Sequence, residues 1–198
     1  MRRLTYLIAM TVDGFIAAPD RSDPTGPDGF WPLPEDYIAH LVAEFPETLP
    51  AAARNALGVT ATGGAFDTAL MGRRTYEIGL AAGVTNAYPH LRSLVFSHTL
   101  AGSLDPSVEV VAGDPVERVR ALKDEPGSGL WLVGGGSLAG ALYDEIDELV
   151  LKIAPITIGA GVPLFGDTDT SFRLQGWIPQ AASTLRSGVS ILSLRRPD

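Results

Sequence analysis

No cysteine occurs anywhere in the 198 residues. That excludes disulfides, thiolate metal sites, cysteine nucleophiles and the cysteine-rich zinc signature of nucleobase deaminases. Positive charge is scarce too. Fifteen lysines and arginines stand against 23 acids, for a formal net charge of −8, which opposes binding of nucleic acid or an anionic membrane through a broad basic face. A local basic pocket remains compatible with that balance. No uninterrupted apolar run approaches the roughly 20 residues of a membrane helix. The opening MRRLTYLIAMTVDG is not read as a signal peptide, because Asp13 and Gly14 cut the apolar run short and no small-residue cleavage site follows. The expectation is a cytoplasmic protein with a small-molecule substrate and neither nucleic-acid nor membrane partners.

Several familiar site motifs are missing as well. The dinucleotide pattern G-x-G-x-x-G is absent, since Gly134, Gly135, Gly136 and Gly140 have the wrong spacing, and no P-loop lysine follows a glycine loop. Gly135-Gly136-Ser137-Leu138 approaches the nucleophile elbow G-x-S-x-G, but position 139 is alanine. Triads on that fold place histidine after the serine, whereas His40, His90 and His98 all precede Ser137. No H-E-x-x-H or other metal-ligand spacing appears, so no metal site is expected.

Length and a 45% hydrophobic content suit one domain over residues 1–198. Residues 3–10 and 15–18 read as strands around the Asp13-Gly14 turn, followed by a Pro/Gly/Asp-rich loop from Pro19 to Pro34. A helix starting near Glu35 carries Ile38, Leu41, Val42 and Phe45 on one face, with Pro34 suited to its first turn. Residues 46–66 look like an insertion, with LPAAARNAL as a short helix. TALMG reads as a strand ending at Gly72 and feeding a helix from Arg73; RSLVFS and VEVV are further strands. Asp114-Pro115-Val116-Glu117 is a capping-box helix start.

LWLVGGGSLAGALYD, residues 130–144, reads as strand, glycine turn and helix, with Ser137 as N-cap. Glycine permits close approach of another molecule to the backbone, and a helix start offers unpaired N–H groups suited to a phosphate. DELVLKIAP is a strand, GAGVPLFG a turn, and FRLQGWI, AASTLR and VSILSLRR are closing strands. The alternation favours an α/β sandwich with a mixed, mostly parallel sheet.

VDGFIAA, FWPLPEDYIAHL, LMGRRTYEIG, VFSHTL, LWLVGGGSLAGAL and DELVLKIAPITIGAGVPLF resemble, in order and approximate spacing, the dihydrofolate reductase-like superfamily. The likeness is nearest to the riboflavin-biosynthesis reductase and stand-alone bacterial branches. It implies a dihydrofolate reductase-like three-layer sandwich with antiparallel C-terminal strands, and a reductase that takes hydride from NADPH, with NADH not excluded. By the match, Gly72, Arg73, Arg74 and Thr75 would meet the cofactor phosphates, for which the guanidinium fork is suited. Gly134, Gly135, Gly136, Ser137 and Leu138 would form the second cradle, and Ala9 and Ile16 would hold the nicotinamide carboxamide through their backbones. Ser97 and His98, with Thr99, would meet the adenosine ribose phosphate, where many relatives have arginine in the place of His98.

The resemblance also makes Asp36 the catalytic acid and substrate anchor, with a pKa raised by an apolar cleft. Trp31 would line that cleft and Asp13 would stand at its mouth. Lys152 falls near a threonine that supports the acid in folate reductases, while Pro155 and GAGVPLF are closer to the riboflavin-type branch. Dihydrofolate is therefore not the first choice; a pterin-like or aminopyrimidine-like substrate is, including 5-amino-6-(5-phosphoribosylamino)uracil. A non-catalytic nucleotide-binding or ligand-sensing module on the same fold is the alternative. Relatives commonly dimerise, and the C-terminal strands offer an edge, so a homodimer is expected.

Overall fold

The computed structural model describes residues 1–26, 29–166 and 174–197. Its first strand explains the layering. In β1 (Leu4–Thr11), Leu4 and Tyr6 on one side and Thr5 and Leu7 on the other are all buried. A strand apolar on both faces has to lie between two covering layers.

The other elements supply them. They are β2 (Phe15–Ala17), α1 (Glu35–Glu44), α2 (Ala51–Ala56), β3 (Phe66–Gly72), α3 (Arg73–Ala81), β4 (Arg92–Phe96), β5 (Val108–Val111) and α4 (Pro115–Asp124). They continue with β6 (Gly129–Gly134), α5 (Gly136–Ala141), β7 (Glu148–Ala154), β8 (Val162–Pro163), β9 (Ile178–Thr184) and β10 (Ser190–Arg195). Eight strands form one sheet in the order β5-β4-β3-β6-β1-β7-β10-β9, while β2 and β8 pair separately. From β5 to β7 the neighbours run parallel; β10 is antiparallel to both β7 and β9. Val119 and Leu122 of α4 and Leu138 and Ala139 of α5 close one core with Leu4, Tyr6 and Leu132. Tyr37 and Leu41 of α1 and Tyr76 of α3 close the other with Leu7, Met71 and Trp131. The result is a three-layer α/β sandwich with a mostly parallel centre and antiparallel C-terminal strands.

Asp114 caps α4 as its pattern implies, its Oδ1 accepting from the Val116 N–H at 2.8 Å. FRLQGWI is a departure. Leu174 to Trp177 form no strand, and Phe172 and Arg173 lie outside the described residues. Trp177 packs instead against the first core and under the Arg196 guanidinium, 5.5 Å from its ring centre. The 46–66 segment is anchored by Glu47, a fully buried carboxylate whose Oε1 accepts from the Ala65 and Phe66 N–H groups at 2.9 and 3.0 Å. The stretch LPAAARNAL does contain a helix, α2.

Candidate active site

Met71 and Gly134 are partners in the β3–β6 register, so the two glycine turns leave the sheet side by side. A Cβ built on Gly72 would stand 3.8 Å from the carbonyl oxygen of Gly134 and from the amide nitrogen of Gly135. Such turns lie at the carboxyl ends of parallel strands, the usual place for ligands in open α/β sheets. Between them opens a cavity of about 490 Å³.

Gly72, Arg73, Arg74 and Thr75 line this cavity from the β3–α3 side. Gly134, Gly135, Gly136, Ser137 and Leu138 line it from the β6–α5 side. Ile16, Ser97 and His98 complete the predicted set, whereas Ala9 does not reach the cavity wall and Ile8 takes its place. The glycines serve different ends. Gly134 has φ +138°, which side chains rarely adopt; its peptide bond to Gly135 is cis. Gly136 is glycine for packing, because a Cβ there would overlap the Pro163 carbonyl. Gly135, a residue of the cavity wall, would bring a Cβ no closer than 3.5 Å to Thr75 Oγ1.

Helix α5 begins two residues earlier than expected. Its N-cap is Gly135, and Ser137 sits inside the first turn. Among the described residues neither α3 nor α5 has a side-chain cap, unlike α4 with Asp114. Arg73 is steadied by Thr99 Oγ1 at 2.8 Å and by Glu77 at 3.5 Å; Arg74 has no ion-pair partner among the described residues. Ser97 Oγ accepts from the Thr99 and Leu100 N–H groups and so shapes the turn carrying His98. Arg21 also lines the cavity, from a loop position with φ +63°. Nothing in its sequence context marks it, since a Pro/Gly/Asp-rich loop has no periodicity to orient a side chain. With Arg21, Arg73, Arg74 and His98 on its wall and no carboxylate among the described residues, the cavity is basic within an acidic protein. Its residues fit a phosphate-bearing ligand.

The residues expected to hold substrate lie elsewhere. Asp13 accepts from Thr11 Oγ1 at 2.6 Å and from the Ile158 and Gly159 N–H groups at 3.1 and 2.8 Å. The Thr11 hydrogen bond first, and then the two amides, hold its pKa below the usual carboxylate range. It ties two loops together and does not line the cavity. Trp31 is 8% exposed and packs edge-on against Phe30, outside the cavity wall. Asp36 corrects the expectation of a raised pKa. Its Oδ2 accepts from the Ser187 N–H at 2.8 Å, and that bond is the main cause of a lowered pKa. Asp36 is off the cavity wall as well.

Lys152 lies next to Ala9 in the β1–β7 register, with Nζ 5.9 Å from the Tyr37 ring centre. Burial pushes its pKa down to about 8. No ion pair offsets that among the described residues.

Comparison with known proteins agrees with this architecture. A family model described as the RibD C-terminal domain matches residues 2–181. The chain belongs to the RibD C-terminal domain family. Two Bacillus subtilis relatives, the uncharacterized proteins YwjB and YyaP, are 31% identical over 114 residues and 29% over 123. Each match spans 56% of this chain, and 66% and 65% of the respective relative.

Among solved structures, a riboflavin biosynthesis protein from Shewanella sp. PV-4 superposes with TM-score 0.66 at 21% identity, over all of both chains. A Thermotoga maritima diaminohydroxyphosphoribosylaminopyrimidine deaminase/5-amino-6-(5-phosphoribosylamino)uracil reductase gives 0.63 at 15%, over 99% of this chain and 57% of that one. Enterococcus faecalis dihydrofolate reductase, complexed with NADP(H), gives 0.64 at 19%, over 99% and 97%. At these identities the likeness is one of fold, and the RibD C-terminal fold seen here is of the reductase type. No helix among the described residues is long and apolar enough to cross a membrane.

Proposed function

We propose that this protein is an NADPH-dependent reductase acting on a C=N or C=O bond of a pterin-like or aminopyrimidine-like compound. The observation that carries the reading is the basic cavity where the Gly72 and Gly134–Gly136 turns meet, beside two helix starts with no side-chain cap. Arg73, Arg74 and Arg21 would pair with cofactor phosphates, and the glycine turns would admit the pyrophosphate close to the backbone. When bound, the cofactor supplies hydride to the acceptor's carbon, the bond's electron pair moving to the heteroatom, which takes a proton from water. The chain's own task is to hold the two reactants in contact and keep bulk water from between them. His98, in place of an arginine, leaves NADH as a second donor to be compared.

Asp36 is not assigned the proton. A carboxyl group with a lowered pKa and a standing bond to Ser187 is a poor acid near neutrality. The same observation favours the second reading, a nucleotide-binding module without turnover. Titration with NADPH and NADH, followed by a screen of pterins and ribosylaminopyrimidines for cofactor oxidation, tests both. Saturable binding with turnover supports the reductase, saturable binding with no turnover supports the module, and no binding removes both. We also propose a cytoplasmic homodimer, for which β9, an edge strand exposed along its whole length, is the candidate contact. Only monomer by light scattering would remove the dimer.

A further inference from the structure

A second cavity, of about 360 Å³, lies beside the basic one, and the two share Thr75, Ile78 and Val133 as a common wall. They differ in charge. Among the described residues the first has three arginines and a histidine on its wall and no acid, while the second has no cation and Asp23 as its one charged residue. Pro50, Ala51 and Ala52 of the 46–66 segment, all with short side chains, also line it. Several of its polar groups are already engaged, Asp23 among them, whose Oδ1 accepts from the Thr25 N–H and hydroxyl at 2.9 and 2.8 Å. The Tyr76 hydroxyl donates to the Thr85 carbonyl at 2.9 Å, and Asn86 bonds Ser107 Oγ and the Tyr88 N–H. The Tyr88 hydroxyl has no hydrogen-bond partner among the described residues, and burial raises its pKa first of all, so it stays a neutral donor.

We propose that this second cavity receives the hydride acceptor, and that the acceptor is a compact neutral or cationic heterocycle carrying no phosphate. The proposal rests on the reductase reading and narrows its substrate. A phosphate moved into this space would lose water, meet no cation to replace it, and face the Asp23 carboxylate. An amino-substituted heterocycle meets the opposite situation, since its N–H groups suit Asp23 and its ring oxygen or nitrogen suits the Tyr88 hydroxyl. The volume is at the small end of the range of about 300–1,000 Å³ usual for ligand pockets. The shared Val133 and Thr75 wall would put such a ring next to the cofactor cleft.

The test is equilibrium binding, by ligand fluorescence, of unphosphorylated pterin and of a phosphoribosylaminopyrimidine to the whole protein, with and without saturating NADPH. NADPH affinity is measured in parallel. The expected result is pterin binding at least tenfold tighter than that of the phosphorylated probe. Ala52→Trp, at an exposed position, should weaken pterin at least tenfold while NADPH affinity stays within twofold. Asp23→Arg should narrow the preference. Equal or tighter binding of the phosphorylated probe, pterin binding untouched by Ala52→Trp, or NADPH binding with no binding of either probe would overturn the proposal. Pterin binding with the stated preference but no NADPH binding would instead overturn the reductase reading and leave this cavity as a site.

Discussion

Gly72 lies against Gly135: a side-chain carbon on the first would stand 3.8 Å from the amide nitrogen of the second, although 63 residues separate them in the chain (135 − 72). Adjacent parallel strands, β3 and β6, bring the two turns together. Everything proposed about cofactor binding depends on that meeting.

Gly136 tests the packing behind the turn. A Cβ there would overlap the Pro163 carbonyl and stand 3.2 Å from the Gly166 nitrogen. Gly136→Ala is expected to cost about 1–3 kcal/mol, the usual range for overpacking, read as a lower midpoint in urea unfolding with an unchanged slope.

Arg74 is exposed and has no ion-pair partner among the described residues, so its removal should leave folding intact. Charge-assisted hydrogen bonds are worth about 1.5–3 kcal/mol. Arg74→Ala should therefore weaken NADPH binding by roughly ten- to a hundredfold, with thermal stability unchanged.

Glu47 holds the 46–66 segment to the start of β3 by accepting two backbone N–H groups. Glu47→Ala strands the buried Phe66 N–H, at about 1–3 kcal/mol for an unsatisfied group, while the exposed Ala65 N–H can turn to water. The expected outcome is a large drop in melting temperature and early proteolysis within residues 46–66.

Lys152 gives a signature on the alkaline side. Its folded pKa, about 8, lies below the unfolded value of about 10.4, so between these the unfolded chain binds more protons and stability rises with pH. The buried tyrosines Tyr6, Tyr37 and Tyr88, with raised pKa values, oppose this only above about pH 10, where unfolded tyrosine ionises. Lys152→Met should raise stability at pH 7 and flatten the rise between pH 8 and 10 in thermal melts. An unchanged slope would refute the burial argument.

Asp36 gives the acid counterpart. Its folded pKa is depressed, so its contribution is present above the unfolded value of about 3.9 and is lost as pH falls through the folded one. Asp36→Asn should make stability less pH-dependent below about pH 4. Turnover at pH 7 should stay within about twofold, an effect well under one tenfold step of 1.4 kcal/mol. A hundredfold loss of kcat with intact folding would restore the acid role to this residue.

Much of this was legible in the sequence. LMGRRTYEIG and LWLVGGGSLAGAL each join an apolar strand to a glycine turn and a helix, and the structure sets their turns together. The shortfalls have local causes. Ser137 is a good capping residue, yet Gly135 caps α5, which places Ser137 within the helix. Asp13 and Asp36 carry the right chemistry for substrate, but their carboxylates are taken by the amides of Ile158, Gly159 and Ser187, contacts 145 to 151 residues away that no spacing reveals. Arg21 joins the site from an irregular loop, and Glu47 looks like a surface acid until its complete burial is seen.

The most direct measurement is a titration of the protein with NADPH, followed by nicotinamide fluorescence and repeated with Arg74→Ala. Saturable binding of one molecule per chain, weakened at least tenfold by the substitution, is the predicted result. Absence of a saturable signal, or an affinity indifferent to Arg74, would contradict a dinucleotide seated between the Gly72 and Gly134–Gly136 turns.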